Sequence, residues 1–140
     1  MRPKTRLDPV VKLEEQREEL SLRAMADASR KLKTAEELLA ERRAHAEMDN
    51  RRTASASDWQ LAELSHTRAL SDVRVAELAL QVAGEESTVT RDRYAAAHSK
   101  AEALRRVAAV RVDEIVQARA TAERREFDDL AILRHGPRAA

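Results

Sequence analysis

Residues 53–64 read Thr-Ala-Ser-Ala-Ser-Asp-Trp-Gln-Leu-Ala-Glu-Leu, and the fold is decided there. Residues 53–57 are the densest cluster of small, turn-tolerant side chains in the chain, and Ser57 with Gln60 three positions on has the spacing of a capping box. Long helical patterns run away from this cluster on both sides. The reading is a hairpin turn at 54–57 that joins helix 1 (9–53) to helix 2 (58–134), with an N-terminal arm at 1–8 and a flexible tail at 135–140.

Toward the N-terminus, no Gly or Pro interrupts the chain back to Pro9. Leu13, Leu20, Ala24, Ala28, Leu32, Ala35, Leu39 and Ala46 recur at steps of three and four, which is one apolar stripe on a helix. The +4 steps between Leu20 and Leu32 predict a stutter that locally unwinds a supercoil. Asp8-Pro9 reads as the start, Asp8 accepting from first-turn amides and Pro9 losing no intrahelical bond.

Toward the C-terminus, Leu61, Leu64, Ser71, Val75, Leu78, Val82 and Val89 alternate near +3 and +4, with Arg68 and Glu85 filling two places. This is the best heptad register in the chain. Gly84 and the Ser87-Thr88-Val89-Thr90 run form a dip in helix propensity, and a break at 84–90 would give a three-helix, spectrin-like bundle. The seam keeps its phase across Gly84 and a lone Gly costs only about 1 kcal/mol, so an unbroken helix 2 is expected. Tyr94, Ala97, Leu104, Ala108, Val112, Ile115 and Val116 continue an apolar face, and His135-Gly136-Pro137 ends the helix.

Composition agrees. The 140 residues are 43% hydrophobic and 36% charged but only 2% aromatic, with two glycines, three prolines and about a fifth alanine. A sandwich or barrel needs frequent turns and many β-branched and aromatic residues, which are missing here. The fold class is all-α, a long antiparallel two-helix coiled coil. At 1.5 Å per residue the helices are ~68 and ~115 Å long. A fold near Ser55 sets Leu13 opposite about Ala97, so helix 2 beyond about Leu104 protrudes. That protruding C-terminal end carries Leu104, Val107, Val112, Ile115, Val116, Phe127, Leu130 and Leu133, which need another surface to bury them.

The residues supply little chemistry. With no cysteine, disulfides and thiolate metal sites are excluded. His45, His66, His98 and His135 have no i, i+4 partner and read as solvated, and the carboxylates sit among basic neighbours, as Glu15 and Glu19 do near Lys12 and Arg23. Phosphate-binding glycine motifs are absent too, so no enzyme, cofactor or small-molecule substrate is expected. Arg51-Arg52, Arg105-Arg106 and Arg124-Arg125 have Asp49, Glu102, Glu123 and Glu126 beside them, and net charge is +1, so nucleic acid is not the expected partner. No apolar leader and no membrane span is visible, so the cytoplasm is the expected location. Trp59, beside the turn, reads either as a cap on the hairpin core or as an interface anchor.

The opening Arg6-Leu7-Asp8-Pro9-Val10-Val11-Lys12-Leu13-Glu14-Glu15-Gln16-Arg17-Glu18-Glu19 resembles the start of FliJ-type flagellar export proteins. The alanine-rich 24–28, the segment Thr34-Ala35-Glu36-Glu37-Leu38-Leu39 and the closing Glu123-Arg124-Arg125-Glu126-Phe127-Asp128-Asp129-Leu130-Ala131 continue the likeness. Injectisome stalk proteins of the YscO type share the architecture. Family members often carry Tyr or Phe where this chain has His45, Asp49 and Ser65. The resemblance implies a stalk of a type III protein export apparatus, a monomer in isolation, peripheral on the cytoplasmic face of the inner membrane. Its partners would be a hexameric export ATPase, an export gate protein and export chaperones. By matching position it implies ATPase contact through Arg6, Lys12, Ile115, Arg119, Arg124, Arg125 and Phe127, and gate contact through His45, Trp59 and Leu64. From a different class, a homodimeric coiled-coil scaffold would pair the protruding ends of two copies.

Overall fold

The computed structural model describes residues 1–48 and 55–136. Two helices account for nearly all of them, α1 (Asp8–Glu47) and α2 (Ala56–His135), and no strand occurs among the described residues. The helices pack antiparallel, as expected, and helix 2 runs unbroken through Gly84. In the dip around it, Thr88 Oγ1 donates to the Gly84 carbonyl at 3.1 Å and Thr90 Oγ1 to the Glu86 carbonyl at 2.9 Å. The hydroxyls thus bond back into their own helix and leave no buried donor unpaired.

The helix ends differ from the sequence reading. Helix 1 stops at Glu47, where the Met48 amide reaches back to the His45 carbonyl at 3.3 Å, and not at residue 53. Residues 49–53, Ala54 of the turn and residues 137–140 of the tail lie outside the described residues. Ser55 caps α2 in place of Ser57, since its Oγ accepts the Asp58 amide at 3.2 Å and sets a carboxylate in the first turn. Asp8 does not cap the amides ahead of it. Its carboxylate turns back to accept the Thr5 amide at 3.0 Å and the Thr5 hydroxyl at 2.9 Å, the acidic half of a Thr-x-x-Asp box. At the far end Gly136 takes φ 55° and donates to the Ile132 carbonyl at 2.8 Å, a left-handed cap that favours glycine.

The chain divides into two compact units: Met1–Glu18 with Ala97–Ala140, and Glu19–Ala96. In the second unit the covered positions of α1 are Ser21, Met25, Ala28, Leu32, Ala35, Leu39 and Ala46, spaced four and three in a heptad without the expected stutter. Those of α2 are Ala62, His66, Ala69, Val73, Ala76, Leu80, Ala83, Ser87, Thr90 and Tyr94. This corrects the seam of helix 2. Leu61, Leu64, Val75, Leu78, Val82 and Val89 are all exposed, and an alanine-rich stripe holds the contact instead. Methyl side chains at every seventh residue let helix axes approach closely, which long aliphatic side chains would prevent. On α1, Leu20 and Ala24 likewise face outward.

Ion pairs set the register in this unit, Lys31 to Glu86 at 3.2 Å and Arg43 to Glu77 at 3.4 Å. In the first unit the covered positions are Leu7, Val11, Glu14 and Glu18 before residue 19 and Ala97, Ala101, Leu104, Ala108, Val112 and Ile115 on α2. Leu13 is itself exposed, and cross-helix partners there have residue numbers that add to roughly 117, which puts it level with about Leu104 rather than Ala97. Helix 2 therefore protrudes only beyond Ile115, and residues 104–115 are covered in part.

Candidate interaction surface

The first unit joins two features, a charged clamp between the helices and a bare helix end. In the clamp, Glu14 is buried at a seam position and its carboxylate meets Arg17 at 2.9 Å and Lys100 at 3.2 Å. Glu18 accepts from Arg105 Nη2 at 2.6 Å and contacts His98 Nδ1 at 2.8 Å, while Arg105 Nε donates to Glu15 at 3.0 Å. The His98 contact and then the Arg105 guanidinium hold the Glu18 carboxyl below its ordinary value. Bonds to Glu15 and Glu18 raise Arg105. His98 is exposed, as expected, but engaged across the helix pair, whereas His66 is half-covered in the seam of its own unit rather than solvated. Arg106 pairs with Glu102 at 2.6 Å, in keeping with a mixed-charge exterior.

Beside the clamp the N-terminal arm folds along α2. The Thr5–Asp8 bonds hold the arm, and the Asp8 carboxyl is lowered chiefly by the Thr5 amide. Lys4, Thr5, Arg6 and Leu7 face Val107, Arg111 and Ile115 across an apolar cleft of about 520 Å³. Arg6 and Ile115, both expected in ATPase contact, are brought together here, and Ile115 is half-covered rather than free. Lys12 is exposed on the first turns of α1.

From Val116 to Gly136 every side chain is exposed. Phe127, Leu130 and Leu133 are 72%, 60% and 80% accessible. At 100° per residue Arg119, Phe127 and Leu130 fall along one face and Arg124 flanks it, whereas Arg125 lies roughly 160° from Phe127. The expected set is therefore spread around the free end, with Arg119 and Arg124 on either side of Phe127, roughly 80° and 60° from it, and Arg125 behind it.

The residues expected at a gate all belong to the second unit. His45, Trp59 and Leu64 are exposed, but Trp59 and Leu64 are roughly 140° apart around α2 and share no face. Trp59 is 48% accessible and so does not cap a core. Among the described residues no His, Asp or Glu group is arranged to hold a metal, and no helix is long and apolar enough to cross a membrane. No family model, no curated protein and no solved structure matches the chain.

The clamp residues Glu14, Glu15, Glu18, His98, Lys100 and Arg105 escaped the sequence reading as partners. Their pairs across the helices are 80 to 90 residues apart, so local spacing gives no sign of them. The usable signal was Val11-x-x-Glu14-x-x-x-Glu18, a three-four spacing that runs from the apolar stripe into carboxylates.

Proposed function

We propose that the chain is a non-enzymatic stalk of a type III protein export apparatus, of the kind the FliJ-type resemblance implies. The observation that carries this reading is the bare end of α2, a continuous helix whose Phe127, Leu130 and Leu133 are left exposed by every described residue. In this reading the free end enters a hexameric export ATPase, with Arg119, Arg124 and Phe127 on the contacting side. The clamp holds the N-terminal arm and α2 as one support behind it. Mixed charge on the helix exterior orients the encounter.

The action is allosteric. A stalk that binds one ring conformation better than another shifts the ring toward it, by no more than its differential affinity. Coupling to an export gate, exchange with chaperones and residence at the cytoplasmic face of the inner membrane belong to the same proposal.

The test is ATP hydrolysis by the export ATPase of the same genome with the chain titrated in. Wild type stimulates, Phe127→Asp/Leu130→Asp loses at least about tenfold in half-maximal concentration, and Arg125→Glu on the other face retains most of it. Absence of stimulation and of ring assembly by wild type overturns the reading.

A further inference from the structure

In the second unit α2 carries two heptad stripes. The alanine-rich one is buried against α1, and the other holds Leu61, Leu64, Val75, Leu78, Val82 and Val89, which are 47–68% accessible. The second stripe lies roughly 150° around the helix from the first, so α1 covers none of it. It runs for roughly eight turns with the three-four spacing of a coiled-coil seam.

Its two charged members decide what fits it. Arg68 and Glu85 stand at equal distances either side of a point between Ala76 and Glu77, and so do Leu64 and Val89, Ser71 and Val82, and Val75 and Leu78. A stripe with this internal symmetry is complementary to itself when reversed. We propose that it is the interface with a second copy of this chain, packed antiparallel about a two-fold axis, α2 against α2.

In that register Arg68 of each copy meets Glu85 of the other, Leu64 meets Val89, Ser71 meets Val82 and Val75 meets Leu78, while Leu61 at the end of the stripe faces Asp92. Flanking positions bring Asp72 near Ala79 and Arg74 near Gln81, with no like charges opposed. A parallel pair would set Arg68 on Arg68 and Glu85 on Glu85. An antiparallel pair shifted by one heptad in one direction would set Arg68 on Leu78 and Glu85 on Leu61; shifted in the other it would keep an ion pair, Arg68 with Asp92, but set Glu85 on Val75 and exchange the Leu64–Val89 contact for Leu64 on Ala96. Arg68 takes part in no ion pair among the described residues, and Glu85 receives only a 3.4 Å contact from Gln81, so both are available. The stripe lies wholly within the second unit, and the inference does not rest on the stalk reading, which concerns the first.

The experiment is sedimentation equilibrium of the full chain over a concentration series, with circular dichroism to confirm that each variant keeps its helix content. Wild type dimerises. Arg68→Glu and Glu85→Arg each weaken the dimer about tenfold or more, because each opposes like charges twice across the two-fold axis, and the double variant restores it. A monomer throughout the series overturns the proposal. So does a dimer indifferent to both single changes, which would place self-association elsewhere, or a double variant no better than the singles.

Discussion

Glu18, like Asp8, is a residue through which acid should act on this protein. His98 and Arg105 favour its charged form in the folded chain, so its folded pKa lies below the unfolded one. The stability it contributes is present above the unfolded value and is lost as pH falls through the folded value. Between about pH 5 and pH 3 the urea midpoint of wild type should fall, and Glu18→Gln should start lower and flatten that decline. An equal decline in both proteins would count against the clamp. The same residue marks a limit of the sequence reading. Leu32 and Leu39 were legible as seam residues because they are large, apolar and in phase, whereas Glu14 and Glu18 hold their places through cations far off in the chain. Asp8 was legible as the start of α1, but its partner Thr5 was not, since a carboxylate beside a helix N-terminus can bond forward or backward.

Among the elements, helix 1 and helix 2 and their antiparallel pairing followed from the period of the pattern and the small-residue cluster before Ser57. The choice of seam on α2 did not. Leu61 to Val89 and Ala62 to Tyr94 are two stripes of the same period, and hydrophobicity ranks the wrong one first. Helix 1 offers a face of Ala28, Ala35, Leu32 and Leu39, and close approach favours alanine against it. Continuity through Gly84 was legible from the unbroken phase, and it has a measurable cost. A Cβ built at Gly84 meets nothing within 4 Å. Gly84→Ala should therefore stabilise the chain by about 0.5–1 kcal/mol in urea unfolding, through reduced backbone entropy of the unfolded state. A neutral or destabilising result would mean that the helix does not run straight on at this point.

On the scale of the whole molecule, the middle of the chain forms one unit and its two ends form the other. Ion pairs that cross between the helices join residues 34 and 55 apart in the middle unit, against 80 to 90 in the unit of the ends. Loop closure costs about 0.6 kcal/mol more per doubling of length, which favours forming the middle unit first. Trp59, the sole tryptophan, stands in that unit and is half-exposed. Its emission therefore follows the middle unit, while far-ultraviolet circular dichroism sums the helices of both. As urea is added near pH 4, the dichroism signal should begin to fall before Trp59 emission changes; coincident curves would mean that the units melt as one. The chain thus carries a built-in optical probe for one unit, and emission changes during titration with an ATPase would report events away from the free end of α2.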